Sequence, residues 1–327
     1  MVLQMRIAGV LAGTVSALGL WADAAVAQDA EVPEDTTLSV AAAEGAATAL
    51  ACGDGGPCAV TDGAYYIAMP DTLEAGDRLP VLLVLHDTNG DPAALSAAPA
   101  VSGLATARGM AVIAPVGGAR ALPDSEAASG WALAGTHGGG RHEASFLYRV
   151  MDDATARFPV DRERVIVTGF GHGGSLTWQL ACDTPWIASA FAPRNGGYHT
   201  ALPEDCAAPA PVLHLHTPVK DGWPLGGDVE TTEEAAARVP AQRHLTMASE
   251  SFGCTGSAAV EGALPDGWDA LEWQGCADGA SLALVLHDER LSTTERQISL
   301  ILDWAAALEI APEAPLANAI TAETASN

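Results

Sequence analysis

Residues 166–176 read Ile-Val-Thr-Gly-Phe-Gly-His-Gly-Gly-Ser-Leu. An apolar run meets a cluster of glycines and passes into a segment able to form a helix, which predicts a strand, a sharp bend and a helix. Bends of the form Gly-x-Ser-x-Gly present a nucleophilic serine at the end of a strand, and small residues let strand, turn and helix approach closely. Gly169, Phe170, Gly171, His172 and Gly173 fill the five places here. The central place holds Gly171, which has no side chain with which to attack a carbonyl.

Outward from the bend, apolar runs alternate with helical patterns. Ala64–Met69, Val81–His86, Met110–Ala114, Arg164–Thr168, Ile187–Phe191, Val212–His216, Ala270–Trp273 and Ser281–His287 read as strands. The continuous apolar character of Val81–His86 suits a strand buried on both faces. Helices are expected at Pro92–Arg108, Glu143–Arg157, Gly174–Cys182 and Thr293–Leu308. In the last of these, Ile298, Ile301, Leu302 and Trp304 fall broadly on one face. Strands alternating with helices predict an α/β fold, a mostly parallel sheet with helices on both faces. No repeat and no linker interrupts residues 70–308, so a single domain over 51–310 is expected.

The ends have a different composition. Arg6, the apolar stretch Ile7–Trp21 and Ala25-Val26-Ala27 predict a signal peptide over 1–27, cleaved near Ala27. That stretch is short and glycine-interrupted for a membrane span, and no later segment replaces it. Residues 28–50 and 311–327 are rich in Ala, Glu and Thr, and read as a flexible lead-in and a disordered tail. A periplasmic or extracellular location is expected. The 41 acidic against 15 basic residues give a formal charge of −26, which repels nucleic acid and anionic lipid and makes both poor partners. Six cysteines in an exported chain suggest disulfides. Sequence alone allows about fifteen pairings, and the simplest is sequential: Cys52–Cys58, Cys182–Cys206 and Cys254–Cys276. No Cys-x-x-Cys pair offers zinc ligands, and no cofactor is expected.

The collinear set Tyr65–Pro70, Val81–His86, Phe158-Pro159-Val160-Asp161, Arg164–Gly169, Gly173–Trp178, Leu180-Ala181-Cys182, His214-Leu215-His216, Pro224-Leu225 and Leu286-His287 … Leu302-Asp303-Trp304 resembles the secreted polyhydroxybutyrate depolymerase and feruloyl esterase-like family of α/β-hydrolases. The resemblance spans roughly residues 52–304. It implies an α/β-hydrolase fold and a Ser–Asp–His triad for ester hydrolysis. In such a triad serine attacks, histidine carries the proton and the acid fixes the imidazole. Carried over position by position, the triad places hold Gly171, Lys220 and Leu291. Where the family has His-Gly after the strand, this chain has His86-Asp87-Thr88, putting a carboxylate close to where negative charge would develop. The backbone N–H groups of Thr88 and His172 hold the oxyanion-hole positions.

In a serine protease, loss of the nucleophile costs about 10⁶ in turnover and loss of its partners adds little. Drift at all three places is therefore compatible with one lost activity. The resemblance then implies a non-catalytic homologue keeping a cleft for a small or polymeric ester, an acyl group or a saccharide. The alternative is an active ester hydrolase with relocated chemistry through His172, Asp221 or Ser175, or through a metal held by His137, His142 and His172. Ser175 lies one helical turn past Gly171 and reads as a packing residue. His172 holds the variable place and reads as a cleft-lining side chain. The three imidazoles lack an established ligand spacing, so no metal site is expected. His214, His216 and His287 read as structural, and Trp131, Trp223, Trp268 and Trp273 as core before cleft.

Overall fold

The computed structural model describes residues 50–118, 129–133, 141–198, 202–218, 240–260, 264–277, 279–289 and 293–312. The expected signal peptide, most of the lead-in and nearly all of the tail lie outside them, as do His137, Lys220, Asp221, Trp223 and Leu291.

Among the described residues, ten strands form one sheet: β1 (Cys58–Val60), β2 (Gly63–Ala68), β3 (Leu79–Leu85), β4 (Ala111–Pro115), β5 (Val160–Phe170), β6 (Ala190–Arg194), β7 (Pro211–His216), β8 (Gly256–Ala259), β9 (Asp269–Gln274) and β10 (Ser281–Leu286). Their spatial order is β1-β2-β4-β3-β5-β6-β7-β10-β9-β8. Strands β4, β3, β5, β6, β7 and β10 run parallel. The outer pairs β1–β2 and β8–β9 continue the sheet antiparallel at its two ends.

All seven residues of β3 are buried. Because successive side chains point to opposite faces, Val81, Leu83 and Leu85 join one apolar core while Leu82 and Val84 join the other. The first core is covered by α3 (Glu143–Arg157), α4 (His172–Asp183) and α5 (Ala241–Ser251), which contribute Phe146, Leu176 and Leu245. The second is covered by α1 (Pro92–Ala97), α2 (Leu104–Ala107) and α6 (Glu295–Ala307), through Leu95, Ala105 and Ile301.

Several boundaries differ from the sequence expectation. The helix expected over Pro92–Arg108 is broken into α1, a π-helical turn (Pro99–Gly103) and α2. Proline cannot donate to the turn before it and disfavours helical geometry at the residue it follows, and Ala98 before Pro99 is extended. Strand β6 lies three residues later than expected, because Pro185–Ile187 forms a 3₁₀ turn first. Strand β5 begins at Val160 rather than Arg164. Strands β1 and β8 and helix α5 have no counterpart in the expected elements; β8 is exposed along its length and so carries no apolar alternation. The disulfides Cys52–Cys58, Cys182–Cys206 and Cys254–Cys276 are formed. No helix among the described residues is long and apolar enough to cross a membrane.

Candidate functional site

Strand β3 lies between β4 and β5, so the chain order reverses there. In parallel α/β sheets the crevice outside the carboxyl ends of such strands is where ligands bind. The residues at that crevice are His86, Asp87 and Thr88 after β3, Phe170 and Gly171 at and after β5, and Arg194 at the end of β6.

The bend after β5 has the backbone of a nucleophile elbow. Gly171 has φ 54° and ψ −112° and stands at the N-cap of α4. L-residues with side chains rarely adopt such angles, whereas glycine does so without Cβ strain. Its N–H donates to the Arg194 carbonyl at 3.0 Å, and its own carbonyl accepts from the Ser175 N–H at 2.9 Å. Gly173 must also be glycine, since a Cβ there would lie 2.2 Å from the Leu85 carbonyl oxygen.

The Asp87 carboxylate fills the corner above Gly171. Its Oδ1 accepts the backbone N–H of His172 at 2.8 Å and that of Thr88 at 2.8 Å. A Cβ on Gly171 would meet Asp87 Oδ1, Cγ and Oδ2 at 2.5–2.6 Å. One carboxylate oxygen therefore sits on a pair of converging amides, and the same group occupies the space a side chain at 171 would need. Two N–H groups converging on one oxygen are the geometry that stabilises an oxyanion in acyl transfer.

The surrounding histidines are engaged in ways that define their tautomers. His86 Nε2 accepts the Gly117 N–H at 2.8 Å while Nδ1 faces the Asp87 carbonyl at 2.6 Å, so the ring proton is on Nδ1. Burial pushes this imidazole below its ordinary value and keeps it neutral. His172 is buried, and its Nδ1 accepts the Trp131 N–H at 3.2 Å. That lone pair is committed to a hydrogen bond. Ser175 is fully buried; its hydroxyl donates to the Gly171 carbonyl at 3.2 Å and accepts the Gly197 N–H at 3.1 Å. Neither side chain takes the place that a residue at 171 would occupy.

Beyond the crevice, Trp178 Nε1 donates to His214 Nδ1 at 3.1 Å, so the His214 Nε2–H faces His216 Nδ1 at 3.3 Å. Burial first, then the neighbouring imidazoles, hold His214 far below the ordinary value. His287 packs on Trp268 with ring centroids 5.0 Å apart and lies 3.1 Å from the Thr217 hydroxyl, which donates to the Glu289 carbonyl. His142 caps α3, its Nδ1 accepting the Ser145 N–H at 3.3 Å. Trp131 is fully buried and donates from Nε1 to the His86 carbonyl at 2.7 Å. It is a core residue holding the segment after β3.

Two charged groups escaped the sequence reading. Glu143 is buried and takes the Ala132 N–H at 3.0 Å and the Arg141 guanidinium at 2.8 Å, tying the segment at 131–133 to α3. Desolvation raises its carboxyl above the ordinary value, with Arg141 opposing. Arg194 is 2 % exposed and lines a cavity of ≈ 440 Å³ with Asp87, Leu95, Val101 and Phe170. The signal that could have found it is a lone cation ending the apolar run Ala190–Arg194.

No family model matches the chain. It is 26% identical over 137 residues to a bifunctional acetylxylan esterase/xylanase from Neocallimastix patriciarum, a match covering 42% of this chain and 18% of that protein. Among solved structures it is similar to the acetyl xylan esterase from Aspergillus awamori, with TM-score 0.52 and 15% identity, over 75% of this chain and 94% of that one. A thermostable esterase matches with TM-score 0.42 and 12% identity, over 76% of this chain and 59% of that one. The chain has the α/β-hydrolase fold and is similar to the esterases built on it.

Proposed function

We propose that this chain is a non-catalytic member of the esterase-like α/β-hydrolases, exported to the periplasm or beyond, whose crevice holds a ligand without hydrolysing it. The observation that carries the reading is the Asp87 carboxylate on the Thr88 and His172 amides, above a glycine at the nucleophile position. Acyl transfer needs an attacking atom at the bend and vacant donors for the charge that develops on the substrate oxygen. Here the atom is missing, and the Asp87 carboxylate holds the donors. Lys220 and Leu291 at the other two triad positions fit the same reading, since partners of a lost nucleophile retain little catalytic value. Three disulfides suit an oxidising compartment.

The test is hydrolysis of short p-nitrophenyl esters by the purified chain lacking residues 1–27, together with labelling by a fluorophosphonate probe. No turnover above background and no labelling are expected. Turnover that follows the protein through a second purification would overturn the reading, and a labelled residue would identify the nucleophile.

A further inference from the structure

The cavity at the carboxyl ends of β3, β5 and β6 contains a cation, Arg194, that no acid among the described residues neutralises. Arg194 Nη1 donates to the Thr293 hydroxyl at 2.9 Å and lies 3.3 Å from Gln297 Oε1, both neutral oxygens. Its Nε is buried without a hydrogen-bond partner, and no carboxylate among the described residues pairs with the guanidinium. Burial lowers its pKa only to about 10, so it stays charged at neutral pH. A buried charge is costly unless it is paired and fully hydrogen-bonded.

The acids in the same cavity differ from Arg194 in this respect. Asp87 is held by the Thr88 and His172 amides, and Asp91 Oδ1 by the Ala93 and Ala94 amides at 2.9 and 3.1 Å. Both already have donors, whereas the guanidinium has no acid among the described residues. Apart from His86 and Thr293 the rest of the wall is apolar, with Leu85, Leu95, Ala98, Val101 and the Phe170 ring, which lies 5.9 Å from the guanidinium carbon.

We infer that this cavity binds a small organic monocarboxylate, its carboxylate on Arg194 and its apolar body against Leu95, Val101 and Phe170. A planar guanidinium with unused N–H groups is well matched to a carboxylate, and in a pocket whose two carboxylates already hold backbone amides the charge left to satisfy is the cation, which selects for an amphiphilic anion. The inference rests on the non-catalytic reading above, because a ligand held here is retained rather than turned over.

The probes are sodium benzoate, methyl benzoate and benzylamine, titrated calorimetrically into the chain lacking residues 1–27. Benzoate is expected to bind saturably and at least about tenfold more tightly than the neutral ester or the amine, as for a charge-assisted hydrogen bond. Arg194→Gln should remove that preference. Because a buried arginine can be needed for folding, Ala98→Phe serves as the second variant: it narrows the cavity, leaves the cation in place, and should weaken benzoate by at least about tenfold. Equal binding of benzoate and methyl benzoate, preference for benzylamine, or unchanged benzoate binding in folded Ala98→Phe would each overturn the inference. Ester turnover in the same protein would overturn the non-catalytic reading instead, and leaves the charge preference to be read separately.

Discussion

The Asp87 carboxylate accepts the backbone N–H of His172 at 2.8 Å, across 85 positions of sequence. The same oxygen takes the N–H of Thr88, its neighbour in the chain. The carboxylate thus joins the end of β3 to the first turn of α4, where the N-terminal dipole of the helix also favours an anion. What would be a site for transient negative charge in an esterase is occupied here by one of the chain's own side chains.

A serine at position 171 and an aspartate at position 87 compete for one space. Gly171→Ser alone should destabilise the fold by about 2 kcal/mol, as the displaced carboxylate leaves two amides and the serine takes up strained angles. Adding Asp87→Gly should recover part of that loss, since the clash disappears. Urea unfolding of the single and double variants checks this, and equal stabilities would show that Asp87 moves aside freely. Hydrolysis is expected from neither variant while Lys220 and Leu291 stand at the other triad positions.

Acidification should weaken the fold before the carboxylates titrate. His86, His214 and His287 are all held below the ordinary imidazole value of 6.5, chiefly by burial. Their folded pKa values are lower than their unfolded ones, so between the two the unfolded chain binds more protons and stability rises with pH. The stabilisation is complete above about pH 6.5 and is lost as pH falls below it. Glu143, raised by burial, acts in the opposite sense above its ordinary value of 4.5. Melting temperature should therefore fall between about pH 7 and pH 5, and His214→Gln should flatten the slope. A flat profile in the wild-type chain would contradict the neutral assignment of these rings.

The disulfides should rank by the length of chain they close. Cys182–Cys206 spans 24 positions and joins the end of α4 to the segment before β7, whereas Cys52–Cys58 spans six. The chain-entropy relation gives about 3.5 kcal/mol for the longer loop and about 2.3 kcal/mol for the shorter. Replacing each pair by serines and comparing unfolding midpoints checks the order. A larger loss from the Cys52–Cys58 pair would point to native-state packing as the dominant contribution.

Local patterns in the chain were enough for the α/β layering, the bend at residues 169–173 and a mostly parallel sheet. Seven consecutive buried positions need a continuous apolar run, and close passage of strand and helix needs glycine. These are short-range requirements, and they leave marks in neighbouring residues. The chain also shows an acid following His86, but not where its oxygens go: that depends on β3 and β5 lying side by side, which brings Asp87 onto the His172 amide. Arg194 has the same lesson. A basic residue ending an apolar strand is ordinary on a surface, and only the covering of that strand end by the turns around α1 and by α6 leaves it as an unneutralised cation in a cavity. Pairing partners distant in the chain are chosen by the packed sheet, because a side chain's charge is written in the sequence while its surroundings are made by the fold.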